Sequence, residues 1–442
     1  MPQSDSPPAG LRRNSGYLRL LGASTVTNLG DGMSSIAYPW LASGLTRQPF
    51  LIALVAVVQR LPWLVLTLPA GVITDRVDRK RLIVRMDVIR GLLTVVIGIA
   101  VFMRSGLLPH PGEVTTSTST DAGLYVVVLL TSLLMGSAEV LRDNSAQTLM
   151  PSVVAQDDLE AANGRMWAVE SATNQFIGPP IGSLLLGIGF AVPFFIDAST
   201  FLVSAALIAT IPGCFEPPKV ADERPHWKVD LVEGVRWLRS NKVLWPMALV
   251  LGAMNGSGAL AESTMVIFAQ EVIGAGPFLF AVIGTGGAIG AIVGGWFVPR
   301  VTKRLGGGTV LLISVAGIMV CLLAPGFTTS WVVLAISFAL SSMFGLAWNV
   351  VTVSLRQSVI PNHLLGRVNS VYRFLAWGSI PIGAALGGLV VTALDGPFSR
   401  TVALRAPWVI GAALHLLLLV VVIRRLSTKQ LDELRVSAAV AK

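Results

Sequence analysis

The chain has 442 residues, of which 13% are charged and 53% hydrophobic, with a mean hydropathy of +0.71. A soluble domain carries about 25% charged residues, so the composition predicts a membrane protein and argues against an ordinary soluble enzyme. The two cysteines, Cys214 and Cys321, lie too far apart in sequence to suggest a disulfide framework. The net charge of +9 is better explained by its placement than by nucleic-acid binding.

Apolar runs long enough to span a bilayer dominate the chain, since a spanning helix needs about 20 mostly apolar residues. The N-terminus shows no cleavable signal, because its polar, Pro-rich stretch leads into an apolar run without a small-residue cleavage site. We therefore predict an all-α membrane protein with twelve transmembrane helices in two pseudo-symmetric six-helix bundles. The predicted spans are about 17–45, 50–72, 83–104, 123–147, 164–188, 190–211, 243–271, 276–299, 309–325, 330–354, 368–393 and 405–424.

The distribution of Lys and Arg predicts the orientation. Of the 33 basic residues, 27 fall on one set of connections and adjoining helix ends, and four fall on the other set. Two more, Arg60 and Arg90, lie within predicted spans. Basic residues concentrate on the cytoplasmic side of membrane proteins, so both termini are expected to be cytoplasmic, with the chain in the inner membrane.

A polar, Pro-rich stretch divides the chain. It begins at Pro212 and continues as an amphipathic pattern with Trp227, Leu231, Val235 and Leu238 on one face. Such a helix is typical of a membrane surface. The predicted domains are an N-terminal bundle, 1–211, a cytoplasmic linker with a surface helix, 212–242, and a C-terminal bundle with a cytoplasmic tail, 243–442.

Weak internal repetition supports two related halves. Gln147, Pro151 and Asn163 precede Gly178-x-x-x-Gly182, and Gln357, Pro361 and Asn369 precede Gly383-x-x-x-Gly387 in the same order. The turn Gly71–Arg81 also returns in degraded form at 295–304. Internal repeats of this kind are typical of transporters with a binding site near the membrane midplane.

The turn between the second and third spans carries six charges in the pattern Gly-x-x-x-Asp-Arg-x-x-Arg-Lys. It resembles the loop between helices 2 and 3 of major facilitator superfamily transporters, although Asp78 stands where most of the superfamily has Gly. The resemblance implies a cytoplasmic gate, in which the basic residues bind neighbouring acids. An alternative is a turn that only fixes orientation. The predicted gate residues are Gly71, Asp75, Arg76, Arg79, Lys80 and Asp143.

Further motifs narrow the resemblance. Asn28-Leu29-Gly30-Asp31-Gly32 and Leu68-Pro69-Ala70-Gly71 are similar to the superfamily branch that contains the enterobactin exporter and macrolide-efflux proteins. The helix 5 motif around Gly178, Pro179 and Gly182 resembles that of drug/proton antiporters, with Ser183 in place of a final Gly. Close helix packing is the alternative explanation of the same residues.

Ionisable residues inside spans are costly and therefore functional candidates. Asp31 and Arg60 are expected at similar depth, where they could form a structural ion pair or a carboxylate that titrates during transport. The other candidates for proton coupling or for a substrate cavity are Glu139, Glu170 and Glu262. Asp197 is expected to be solvated or to cap a helix, and His415 to be a satisfied polar group.

The residues and the resemblance together predict a secondary active efflux transporter, not an enzyme. It would export lipophilic, drug-like molecules by proton antiport through alternating access. Two alternatives are a dedicated exporter of a siderophore-like metabolite and a non-transporting membrane sensor or assembly protein. No ATP-binding loop and no metal constellation occurs in the sequence, so no cofactor is expected. The expected partners are a small-molecule substrate, protons and the lipid bilayer, without nucleic acid, and the chain is expected to be a monomer.

Overall fold

A computed structural model describes residues 11–74, 76–113, 120–216 and 227–440. These residues form an all-helical protein, as predicted, because a helix satisfies its own backbone hydrogen bonds within lipid. The first half contains α1 (Ser15–Leu45), α2 (Pro49–Thr74), α3 (Arg79–Met103), α4 (Ala122–Val153), α5 (Leu159–Ser171), α6 (Gly178–Ile188) and α7 (Val192–Ala209). The second contains α8 (Trp227–Ser240), α9 (Leu244–Glu262), α10 (Met265–Phe268), α11 (Pro277–Leu305), α12 (Gly307–Leu323), α13 (Trp331–Val359), α14 (Asn362–Leu394), α15 (Arg400–Arg425) and α16 (Thr428–Val440).

Ten of the described helices are long and apolar enough to cross a membrane. The other two predicted spans correspond to α1 and to residues 159–188, where α5 and α6 are joined by a π-helical turn, Ala172–Ile177. Both are helical at the predicted places, and the crossing of the membrane by all twelve stays a prediction. The predicted span 243–271 is interrupted, because α9 ends at Glu262 and a short turn precedes α10.

Two glycines with positive φ end helices where an L side chain would be strained. Gly274 has φ 72° and terminates the π-helical turn Ala269–Ile273. Gly306 has φ 78° and separates α11 from α12 without any intervening loop. Glycine adopts this left-handed conformation at little cost, so the chain reverses sharply at both points.

The chain forms two compact units, and the first comprises Met1–Tyr38, Val65–Pro111 and Ala122–Glu223. Within it α3 packs against both α4 and α7. Its apolar core includes the buried side chains of Tyr17, Ile83 and Ile208. The packing of α3 against α4 and α7 brings their polar side chains together inside the unit.

The second unit comprises Pro39–Leu64, Gly112–Asp121 and Arg224–Lys442. Its main helix pairs are α11 with α13, α9 with α14 and α12 with α15, and α8 lies along α14. Leu238 of α8 and Leu431 of α16 are buried in its core, which shows that the linker helix and the tail pack onto the unit. The domain boundaries at 211 and 243 stay a prediction.

Candidate functional site

Asp31, in the middle of α1, forms an ion pair with Arg90 of α3. Arg90 Nη2 lies 2.6 Å from Asp31 Oδ1, and the guanidinium also stacks over the Phe201 ring at 4.1 Å. The Arg90 side chain is 2% exposed, whereas that of Asp31 is 31% exposed. The pair therefore joins a buried cation to a carboxylate that is still accessible.

The predicted partner of Asp31 was wrong. Arg60 lies on the part of α2 that belongs to the second unit, is exposed, and forms no ion pair with a described residue. Counting residues from helix ends placed Asp31 and Arg60 at one depth, but depth does not specify which side of a bundle a residue occupies. Arg90 lies within a predicted span too, and its side chain is buried on the inward face of α3.

A second ion pair lies beside the first. Arg142 Nε of α4 approaches Asp87 Oδ1 of α3 at 3.5 Å, and Arg142 Nη1 approaches Asp143 Oδ1 at 3.3 Å. Ser204 Oγ donates to Asp87 Oδ2 at 2.6 Å. Asp87 and Arg142 are buried. The sequence analysis did not select Asp87, although its position within a predicted span was a usable signal.

Asp197 of α7 is fully buried, so the expectation of a solvated or capping residue was wrong. Its Oδ2 accepts a hydrogen bond from Ser34 Oγ at 2.5 Å, and its Oδ1 accepts one from Thr200 Oγ1 at 3.3 Å. The residue lies near the start of α7, where sequence alone favours exposure. Its contact with α1 across the unit places it in the interior instead.

These groups form one acid network, which we define as Asp31, Asp87, Glu139, Asp143 and Asp197 with Arg90 and Arg142. The charges of Asp31, Glu139, Asp87 and Asp143 all act on Arg90. Asp31 pairs with Arg90, and Asp87 and Asp143 share Arg142. Because an unpaired buried charge is strongly disfavoured, breaking either pair gives its carboxyl a physical reason to bind a proton.

The remaining predicted acids lie apart from the network. Glu170 accepts a hydrogen bond from Ser24 Oγ at 2.6 Å, on the stretch of α1 before Asp31. Glu262 is the last residue of α9 in the second unit and is exposed. The structure therefore brings together Asp31, Glu139 and Asp143 among the predicted site residues of the first unit, and Arg60 and Glu262 belong to the second unit.

The basic residues of the turn between α2 and α3 bind backbone carbonyls. Arg79 Nη1 donates to the Thr148 carbonyl at 3.1 Å, and Lys80 Nζ donates to the Ile211 carbonyl at 2.8 Å. Carbonyls near helix ends attract cations. The predicted binding of Arg79 to Asp143 is not seen, because Asp143 pairs with Arg142.

The other predicted gate residues are Gly71, Asp75 and Arg76. Gly71 lies in the last turn of α2, and Arg76 is exposed just beyond it. Asp75 lies outside the described residues. The gating role of this turn stays a prediction.

Asp78, the departure from the superfamily pattern, caps α3. Its carboxylate accepts hydrogen bonds from Arg81 N–H at 2.8 Å, Phe215 N–H at 2.9 Å and the Cys214 thiol at 3.1 Å. Burial alone would raise the pKa of this carboxyl, but these hydrogen bonds outweigh it and lower the pKa. The bond to Asp78 also raises the pKa of the Cys214 thiol. Asp78 thus ties the turn to the segment after α7.

The antiporter-like motif brings two helices into backbone contact. A Cβ added to Gly178 would lie 2.6 Å from Gly32 Cα, and one added to Gly182 would lie 2.5 Å from the Met33 carbonyl oxygen. Pro179 is buried in the first turn of α6, directly after the π-helical turn Ala172–Ile177. The motif therefore holds α6 against the part of α1 that carries Asp31.

A separate charged cluster lies in the second unit, and we call it the Glu271 cluster. Arg47 Nη2 and Arg400 Nε contact the Glu271 carboxylate at 2.5 and 3.0 Å. Arg400 also pairs with Asp395, and Gln270 accepts from Arg47 Nη1 at 2.6 Å. The cluster joins the α1–α2 connection to the start of α15 within this unit.

Metal-ligating side chains do not cluster anywhere in the part of the chain that the structure describes. His415 is buried, with Nδ1 2.9 Å from the Gly411 carbonyl and 3.3 Å from Ser257 Oγ. Its Nε2 is buried without a hydrogen-bond partner among the described residues, so the prediction of a satisfied polar group holds for Nδ1 and fails for Nε2.

The fold and the acid network define a membrane transporter of the major facilitator type. The profile of the transmembrane secretion effector family matches residues 6–440, and the chain belongs to this family of the major facilitator superfamily. It is 25% identical over 367 residues to the enterobactin exporter EntS of Escherichia coli O1:K1 / APEC, with 81% of each chain covered. It is 26% identical over 328 residues to EntS of Escherichia coli O127:H6, with 72% of each covered.

Solved transporter structures share the fold. A mutant of the nucleoside transporter NupG superposes with a TM-score of 0.72 at 13% identity, covering 93% of this chain and 99% of that one. A bacterial homologue of the iron transporter ferroportin in its inward-facing state gives a TM-score of 0.69 at 18% identity, covering 94% and 99%. The predicted superfamily, branch and all-helical fold are confirmed.

Proposed function

We propose that this chain is a secondary active exporter that moves a siderophore-like molecule out of the cell in exchange for protons. The acid network is the observation that carries the proposal. It places an accessible carboxylate, Asp31, against a buried cation, Arg90, beside a second buried ion pair, Asp87 with Arg142. A network of this kind can bind a proton in one state of the cycle and release it in another.

The relatives named enterobactin exporters support the siderophore-like substrate. A lipophilic, drug-like substrate is the second candidate, favoured by the antiporter-like motif at Gly178, Pro179 and Gly182. We further propose that the protein works as a monomer in the inner membrane with both termini in the cytoplasm. The asymmetry of 27 to four basic residues supports this orientation.

The proposed mechanism begins with the ion pair between Asp31 and Arg90. A proton or a cationic group that reaches the exposed side of Asp31 competes with Arg90 for the carboxylate. Loss of the pair would leave Arg90 without its nearest counter-charge, and the resulting cost would couple protonation to movement of α1 against α3. Alternating access of the two predicted bundles would then carry the substrate outward.

Transport in proteoliposomes under an imposed pH gradient tests the proposal. A metal-free catecholate siderophore and a lipophilic cationic dye would be offered separately to wild type, Asp31→Asn and the control Asp432→Asn. Asp432 carries a comparable charge on α16, where it faces Arg435 at 3.5 Å and is exposed. We expect the control to accumulate substrate against its gradient, and Asp31→Asn to retain only downhill exchange.

Each outcome separates the alternatives. Accumulation of the siderophore alone supports the dedicated exporter, and accumulation of the dye supports broad efflux. A wild-type protein that moves neither substrate supports the sensor or assembly protein. Uphill transport by Asp31→Asn at the wild-type rate would show that Asp31 is structural and would direct attention to Glu139 or Glu170.

A further inference from the structure

The Asp197 carboxyl packs directly against the backbone of α1 at Gly30. A Cβ added to Gly30 would lie 2.1 Å from Asp197 Oδ1 and 2.3 Å from Thr200 Oγ1. Any side chain at residue 30 would therefore expel the carboxyl from this position. Asp197 is 0% exposed, and the hydroxyls of Ser34 and Thr200 are its hydrogen-bond partners.

The Tyr38 hydroxyl is a second buried polar group, and the charge of Asp197 acts on it. Tyr38 is 5% exposed, and its hydroxyl makes no hydrogen bond with a described residue. Among neighbouring charges, Asp197 acts on this hydroxyl most strongly. A buried hydroxyl that lacks a partner costs free energy, so its persistence beside a buried carboxyl has to be explained.

The charged groups around Asp197 do not neutralise it. Asp31 on α1 and Arg90 on α3 act on its carboxyl, and α6, which also packs on α7, contains no ionisable residue. Arg90 already binds Asp31 at 2.6 Å. Arg90 acts on both carboxyls, and its direct contact is with Asp31, so it neutralises Asp31 before Asp197.

We propose that Asp197 is a second proton-binding site, occupied while Arg90 is paired with Asp31. The proton sits on Oδ2 and is donated to Ser34 Oγ, which reverses the direction of that hydrogen bond. When Arg90 exchanges its partner, the O–H bond at Asp197 breaks and one forms at Asp31, so that a single proton moves and the two carboxyls exchange charge. The hydroxyl of Tyr38 is then available to donate to the ionised Asp197.

This inference deepens the proposed function, and its first test does not need transport. Infrared spectra of the purified protein, compared with those of Asp197→Asn, should show the loss of one protonated carboxylic acid C=O band. Ser34→Ala should keep that band but shift it, because the acceptor of its proton is removed. Ser35→Ala is the matched control: its hydroxyl donates to the Gly32 carbonyl at 2.7 Å, and it should leave the band unchanged.

The spectra decide the proposal in either direction. A band that is lost in Asp197→Asn and shifted in Ser34→Ala supports it. A spectrum in which neither substitution changes the protonated carboxyl bands would overturn it, since Asp197 would then be ionised. Because Ser34→Ala keeps the acid, this variant still answers the question if Asp197→Asn does not fold.

Proton counting provides the second test. If the chain transports substrate, Asp197→Asn should lose the proton that passes between the two carboxyls, so that fewer protons move per substrate than in wild type, with downhill exchange retained. An unchanged proton count would contradict the role of Asp197 in coupling. Failure of the proposed function has a different signature, namely normal uphill transport by Asp31→Asn, and it leaves the infrared result for Asp197 intact.

Discussion

Replacement of Gly182 by Ala should loosen the contact between α6 and α1. The new methyl carbon would lie 2.5 Å from the Met33 carbonyl oxygen and 2.7 Å from Met33 Cα. Ordinary contacts of this kind exceed 3.4 Å. Both atoms belong to the backbone of α1, so no side chain can turn aside, and the two helices must separate by about 1 Å in a close-packed interior.

Separating the two helices costs free energy of unfolding, and the higher helix propensity of Ala offsets part of this cost. Overpacking a buried site costs about 1–3 kcal/mol, whereas Gly→Ala within a helix stabilises by about 1 kcal/mol. Because both clashing atoms are backbone, the cost should lie in the upper part of this range, about 2–3 kcal/mol, and the expected net effect of Gly182→Ala is a loss of about 1–2 kcal/mol. A Cβ at Gly187, on the same helix, would meet nothing within 4 Å, so Gly187→Ala should be neutral or slightly stabilising.

Thermal unfolding in detergent, followed by tryptophan fluorescence, compares the two variants. Gly182→Ala should melt about 2–6 °C below wild type, and Gly187→Ala should not. Because Asp31 lies two residues before Met33, the displacement should also raise the substrate-free proton leak of proteoliposomes. Equal melting temperatures and equal leak rates for the two variants would refute the packing argument.

Three further substitutions test individual charges. Arg142→Gln leaves Asp87 buried without its cation and should destabilise by about 3–5 kcal/mol, with part of the loss recovered when Asp87→Asn is added; melting temperatures measure both. The pKa of Asp78 is lowered in the folded state, so its carboxylate stabilises the fold above the ordinary pKa of about 3.9, and this contribution declines as pH falls. The stability advantage of wild type over Asp78→Asn should thus be full at pH 7 and be lost as the pH falls below the ordinary pKa of about 3.9 and through the lowered pKa of the folded state. Glu271→Gln leaves two partly buried arginines without a shared carboxylate and should lower the melting temperature more than Asp432→Asn, whose ion pair is solvated.

The all-helical class of fold could be predicted from the sequence because hydropathy is a local property. Each apolar run specifies a helix whether or not its neighbours are known, and the basic turn before α3 marks the superfamily. The boundaries of α9 were less predictable. Its break after Glu262 is a local turn inside an apolar run, and hydropathy does not detect such a turn.

The ion-pair and hydrogen-bond partners of the acids in the first unit could not be predicted from the sequence. Asp31 was identified from its depth, but its cation depends on which helix packs beside α1 at that depth, and that helix is α3. Asp197 was missed for the same reason: near a helix end, burial is decided by the neighbour across the interface. Gly30 beside Asp31 was the available signal, since a small residue in a span indicates close approach of another group.

The position of the acid network also exposes it to the membrane potential. Moving one elementary charge across a whole bilayer at 100 mV involves about 2.3 kcal/mol, so a charge that moves from mid-membrane to one side gains or loses about half of that. Asp31 lies near the middle of α1, a helix of 31 residues. If the proposed proton exchange takes place here, each proton that enters the network from one side and leaves on the other carries current, and the electrical part of the proton-motive force acts on the same carboxyls as the pH difference. The proposed mechanism therefore predicts that a large voltage sustains transport even where the pH gradient is small.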